Sequence, residues 1–170
     1  MNRFALLLFI GLVVTSLGAQ ADSVLKTERL ADNIYALIGP TSNRDPQNLG
    51  NNANFGVVVT DEGVVLIDSG GSYKGAKMID DAIRAITDRP ITMVINTGGQ
   101  DHRWLGNSYF KAKGAHIVAN EKAVSDQRAR VQDQLNAMEN LIGGEVLDGT
   151  KPVYADETFV DRKVITIGGI

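Results

Sequence analysis

The chain has 170 residues, with 17 basic side chains against 20 acidic ones and no cysteine. That length suits one domain or part of a larger one, and an apolar share of 44% is enough to bury a core. A formal charge of −3 speaks against a nucleic-acid partner, which needs a basic surface. The missing cysteines exclude disulfides, thiolate metal ligands and a cysteine nucleophile.

Arg3, the apolar run from Phe4 to Leu17 and the small-x-small triplet Ala19-Gln20-Ala21 predict a signal peptide over residues 1–21, with the mature chain starting at Asp22. An uncleaved anchor is the alternative reading, but the run is shorter than the roughly 20 residues a bilayer span takes. No stable membrane insertion is expected once the signal is removed. Residues 22–170 are read as one domain, incomplete at its C-terminus, because the chain stops on Gly169-Ile170 just after an apolar run that would leave a sheet edge open.

Along the mature chain, short apolar segments at Val24-Leu25 and Ile34 to Ile38 flank a turn at Asp32-Asn33. Residues 41–54, rich in Asn, Gly, Asp and Pro, form a long loop, which is either a lid over a site (Asn43 to Asn54) or plain solvated surface. Phe55 to Val59 and Val64 to Ile67, joined at Asp61-Glu62-Gly63, read as a buried hairpin that exits at Asp68 into Ser69-Gly70-Gly71. Ser72 to Thr87 has helical apolar spacing and stops at Asp88-Arg89-Pro90. A buried strand at Ile91 to Ile95, a loop at Asn96 to Arg103, a short helix at Trp104 to Phe110 and a strand at Ala115 to Ala119 follow. Asn120 caps a long helix with an apolar stripe of Val124, Val131, Leu135, Met138 and Leu141, ended by Gly143-Gly144. Phe159-Val160 and Val164 to Ile167 read as a final hairpin. The alternation of strands and helices predicts a layered α/β fold.

The segment richest in chemistry is Asn96-Thr97-Gly98-Gly99-Gln100-Asp101-His102-Arg103-Trp104-Leu105-Gly106-Asn107. A strand opens there into a glycine-rich loop that sets Asp101 and His102 side by side. Carboxylate and neutral imidazole suit zinc or a similar divalent ion; the competing reading is surface polarity or a helix cap. Asp68, at a strand exit ahead of a glycine turn, either steadies this loop or caps its own turn. His116, at an alternating strand position, reads as structural. Trp104 lies between core packing and substrate contact, with its helical context favouring the core. Tyr73 either lines a cleft or packs. Asp126 and Arg130, four apart on the long helix, read as solvated surface.

At these residues the chain resembles the metallo-β-lactamase superfamily, from about Ile34 to Ile170. The features in order are the Phe55–Ile67 hairpin, Asp68-Ser69-Gly70, the helix, and Asn96-Thr97 leading to Asp101-His102 and Gly106-Asn107. It looks closest to the periplasmic zinc metallohydrolases linked to quinoprotein-relay and sulfur-oxidation systems. The resemblance implies the N-terminal half of an αββα sandwich, a periplasmic location, zinc as cofactor and a small-molecule substrate. The superfamily's loop reads His-x-His-x-Asp-His. On it Asp101 and His102 fall at the second-metal ligands, with Asp101 also orienting the attacking hydroxide. Asp68 and Gln100 are expected just behind the ligands, Asp68 by hydrogen bonding and Gln100 as an amide oxygen near the metal. The two first-metal histidines are replaced by Thr97 and Gly99, or by Gly98 and Gln100 when the loop is aligned from Asn96-Thr97. The implied function is a metal-dependent hydrolase with an altered metal site. The alternative is a non-catalytic accessory or binding protein whose metal site has decayed.

Overall fold

The computed structural model describes residues 23–170; the expected signal peptide and its cleavage point lie outside the described residues. Within them no helix is long and apolar enough to cross a membrane.

Seven strands, β1 (Lys26–Ala31), β2 (Ile34–Ile38), β3 (Asn54–Thr60), β4 (Gly63–Ile67), β5 (Ile91–Asn96), β6 (His116–Asn120) and β7 (Glu157–Phe159), form one sheet in sequence order. β1 to β4 are antiparallel neighbours, β1–β2 and β3–β4 joined by tight turns and β2–β3 by the long 39–53 segment. β4 to β7 run parallel and so need crossovers. These are α1 (Tyr73–Arg84), then α2 (Asp101–Trp104) with α3 (Asn107–Ala112), then α4 (Glu121–Ile142) with α5 (Gly144–Leu147).

Period-two alternation sets the core. Phe55 and Val57 of β3, Val64 and Leu66 of β4, Val94 of β5 and Ile117 of β6 all point to one face, where Ala76, Ile79 and Ile83 of α1 and Phe110 of α3 meet them. Each such Val, Leu, Ile or Phe side chain, fully buried, contributes about 1.5–3 kcal/mol. Val58, Val65, Ile67 and Ile95 point to the opposite face, where they line a cavity together with Ile165, Ile167 and Ile170 of the C-terminal segment. A smaller cluster of Trp104, Leu105, Met138 and Ile142 ties α2 to α4.

Two expectations need correction, and the first strand lies in a run the sequence did not mark, the charged residues after Val24-Leu25. Leu25 is buried while every residue of β1 is exposed, so a strand paired on one side through the Asp32-Asn33 turn carries no apolar alternation. The helix expected at Trp104 to Phe110 is two short ones, broken at Leu105-Gly106. As a result Asp101 and His102 stand on a helical turn rather than in the loop. The final hairpin is absent: Glu157–Phe159 pairs parallel with β6, and residues 160–170 form no strand. The apolar residues at 165, 167 and 170 line a cavity on the sheet face.

The helix at α1 begins as expected, with the Ser72 hydroxyl accepting from the Gly75 N–H at 2.9 Å. α4 is capped by Asn120, whose side chain accepts from the Lys122 N–H at 2.9 Å, and ends at Gly143 with φ 85°.

Candidate metal-motif site

The parallel strands β4 and β5 end side by side, and their C-terminal ends carry the site, as is usual for open parallel sheets. Asp68 follows β4. It adopts φ 64°, a left-handed conformation that Asp and Asn tolerate better than most residues. From there its Oδ1 accepts the Thr97 backbone N–H at 2.7 Å, and its Oδ2 accepts the Thr97 hydroxyl at 2.8 Å. Asp68 thus holds the first residue of the loop. Burial pushes its carboxyl pKa up, against the pull of the Thr97 hydrogen bonds and Arg103.

The loop is fixed at its other end too. The Asn96 and Asn107 amides bond reciprocally, Asn107 Nδ2 to Asn96 Oδ1 at 2.8 Å and Asn96 Nδ2 to Asn107 Oδ1 at 3.0 Å. Both side chains are buried. The Asn-Thr opening and the Gly-Asn close of the motif are therefore one clasp around residues 97–106. Ser69 and Gly70 donate to the carbonyls of Arg103 and His102 at 3.2 and 3.0 Å, and Gly106 donates back to Gly70 at 2.9 Å. This stitching presses Gly106 onto the Ser69 carbonyl, leaving no room for a β-carbon.

α4 supports the loop from behind. Gln127 Nε2 donates to the Gly98 carbonyl at 3.1 Å, and Gln134 Nε2 to the Gly99 carbonyl at 2.7 Å. Gln134 Oε1 also accepts the Trp104 indole N–H at 2.9 Å. Trp104 is fully buried and stacks on Tyr154 at 5.3 Å between ring centroids, so it is a core residue and the floor of the turn. Tyr73 packs edge-on against Tyr109. Asp126 is not idle surface: it sits against Gly99, where a β-carbon would strike it, while ion-paired with Arg130.

Asp101 and His102 come together as expected, with Asp101 Oδ1 lying 3.1 Å from His102 Nδ1. A third side chain joins them. Arg44 Nη2 donates to Asp101 Oδ1 at 2.5 Å and lies 3.0 Å from His102 Nδ1. All three side chains are at most one-fifth exposed. Burial raises the Asp101 pKa, but the hydrogen bond from His102 and the charge of Arg44 outweigh it, and the net shift is downward. Gln100 Oε1 accepts from Arg103 Nε at 3.0 Å, so its amide serves Arg103 rather than the Asp101–His102 pair. His116 lies at the start of β6, 3.2 Å from Glu157 Oε2, away from the strand ends that carry the site.

Arg44 arrives on the 39–53 segment, which is anchored rather than loose. Asn48 accepts from the Asp45 and Gly50 N–H groups at 3.1 and 3.0 Å and donates to the Asn43 carbonyl at 2.9 Å. Asn51, fully buried, donates to the Gly75 carbonyl and accepts from the Gly71 N–H. Through Arg44 the segment reaches the Asp101–His102 pair. Sequence reasoning did not find Arg44, Gln127 or Gln134. The two glutamines stand seven apart on the apolar stripe of α4, and a polar residue at a core position was the available signal.

No protein-family model matches the chain. A curated relative, the metallo-beta-lactamase type 2 of Elizabethkingia meningoseptica, is 31% identical over 134 residues, covering 76% of this chain and 53% of that protein. The solved structure of a metallo-beta-lactamase from Pontibacter korlensis superimposes with a TM-score of 0.55 at 19% identity, over 85% of this chain and 57% of that one. The chain belongs to the metallo-β-lactamase superfamily. It has the superfamily's α/β architecture and spans little more than half the length of the relatives it matches.

Membership in this metallohydrolase-type superfamily implies a divalent metal, typically zinc. The described residues do not assemble its centre. Among them no three His, Asp, Glu or Cys side chains converge, whereas a catalytic zinc takes three protein ligands and an open position. The two donors that do converge are engaged by Arg44.

Substituting Asp68 separates its two tasks. Asp68→Ala leaves the Thr97 N–H unpartnered in a mostly buried setting and puts alanine at positive φ, with an expected loss of about 2–3 kcal/mol. Asp68→Asn keeps an acceptor for that N–H and a residue suited to φ 64°, and should cost under about 1 kcal/mol. Urea unfolding of both variants checks the split; equal losses would mean that the carboxylate charge itself is required.

Proposed function

We propose that the protein is an exported, periplasmic hydrolase of the metallo-β-lactamase fold with an altered metal centre. Its substrate would be a small molecule with an attackable carbonyl, an ester, thioester or amide. The observation that carries this reading is the rigid presentation of Asp101 and His102, 3.1 Å apart, at the C-terminal ends of the parallel strands. The chain's own contribution is positional. Asp68 and the Asn96–Asn107 clasp fix the ends of the loop, Gln127 and Gln134 hold its carbonyls, and Trp104 floors the turn. Because the described residues supply two donors, the proposal requires a further donor from outside them, and the first metal position is taken as lost with its histidines.

The test is metal content. After dialysis against micromolar zinc, the protein should retain at most one ion per chain. The Asp101→Ala/His102→Ala double variant should retain none while keeping its far-UV circular dichroism. Two ions per chain would mean that another ligand replaces the first-site histidines, and undiminished zinc in the double variant would remove Asp101 and His102 from the centre.

A second reading is favoured by one observation. Arg44 already neutralises Asp101, as befits a non-catalytic binding protein that has kept the fold without the metal. No retained zinc in the unmodified protein, together with no hydrolysis of ester or thioester probes, would select it.

A further inference from the structure

We infer that Arg44 is the resident cation of the Asp101–His102 pair, and that its guanidinium occupies the donor atoms a divalent ion would need, so that metal and arginine compete for them. The inference rests on the reading of Asp101 and His102 as the remaining donor pair.

Charge supplies the first argument. A buried carboxylate needs a partner, and Arg44 is the cation that meets Asp101, at 2.5 Å. A guanidinium does not deprotonate to leave, as an ammonium can; it has to be displaced.

The imidazole supplies the second. His102 Nδ1 lies 3.0 Å from Arg44 Nη2 and 3.1 Å from Asp101 Oδ1. The guanidinium thus stands beside the one ring nitrogen that shares its surroundings with the carboxylate, where an ion held by both residues would have to sit.

The third argument is that this pairing, not the surroundings, holds Arg44 in place. Its Nε is buried with no hydrogen-bond partner, an arrangement that costs free energy and is offset where the Nη2 end meets Asp101 and His102. The backbone that delivers it is fixed on either side, by the Arg44 N–H donating to Asn43 Oδ1 at 2.9 Å and by the hydrogen bonds between Asp45 and Asn48. Displacement by an ion would be a swing of the side chain from an anchored loop rather than an unfolding of the loop.

The experiment compares cobalt(II) and zinc binding by the protein and by Arg44→Gln, read by cobalt d–d absorption and equilibrium dialysis. Arg44→Gln should bind either ion at least tenfold more tightly, and the gain should vanish in Arg44→Gln/His102→Ala. In the unmodified protein, nitrogen-15 NMR should show the Arg44 guanidinium protons protected from exchange with water before metal is added and released on adding zinc, a measurement that needs no variant to fold. Guanidinium protons that exchange freely without metal overturn the inference. So does unchanged affinity in a folded Arg44→Gln. If Asp101→Ala/His102→Ala nevertheless lowers the metal content of the unmodified protein, only the arginine's role has failed; if neither change moves it, the donor pair fails as well.

Discussion

Gly106→Ala is expected to destabilise the protein by about 3 kcal/mol, at the upper end of what overpacking costs. A β-carbon at this position meets the Ser69 carbonyl oxygen well inside van der Waals contact, and lies 2.9 Å from the Ala76 methyl carbon of α1. Neither neighbour can yield cheaply. The first is backbone, held because Ser69 N–H donates to the Arg103 carbonyl and the Gly70 carbonyl accepts from Gly106. The second belongs to a fully buried residue. Backbone conformation is not the reason for glycine here, since φ is −76° and any residue could adopt it; closeness is. The relief available to the variant is to part α3 from the β4 exit, which would also loosen the turn bearing Asp101 and His102. Thermal unfolding should show a markedly lower midpoint, and Gly106→Ser should be no better. A variant as stable as the parent would show that the strand exit and the helix are not pressed together.

Trp104→Ala should cost about 3–5 kcal/mol, in the range of buried aromatic truncations. The ring is fully buried among Leu105, Met138 and Ile142, and it stacks on Tyr154. Its loss also strips Gln134 Oε1 of a donor in a buried setting, which adds to the cavity term. Because Gln134 also holds the Gly99 carbonyl, the damage should spread to the loop. Amide hydrogen exchange at residues 97–103 should rise along with the drop in stability. Trp104→Phe refills part of the volume but not the hydrogen bond, and should fall between the two. If Trp104→Ala lost stability without faster exchange in the loop, the link through Gln134 would be disproved.

Much of this arrangement was legible because it is local. Asp68, Asn96, Thr97, Asp101, His102, Gly106 and Asn107 announce themselves as turn-forming or polar residues at the ends of buried apolar runs, and the sheet brings those ends together without further instruction. The strand runs of β2 to β6 were readable from β-branched density, and α1 and α4 from their stripes and caps. What escaped depends on distant geometry. Arg44 reaches the site from a segment in which Leu49 and Gly50 take positive φ, 54° and 85°, and Asn51 bonds to the Gly75 carbonyl of α1; periodicity carries no trace of that. Gln127 and Gln134 look like interruptions of an apolar stripe until the carbonyls they serve are in place. The tail misled for the opposite reason. Its spaced isoleucines read as strand, but they answer to the sheet face beneath them.

The charge and exposure of β1 bear on how this protein meets its neighbours. An edge strand offers unpaired backbone groups to any passing chain, and lysine, glutamate and arginine along it discourage that encounter. At the far margin β7 is three residues long and offers little template. Among the described residues both margins of the sheet are therefore poor templates for edge-to-edge aggregation.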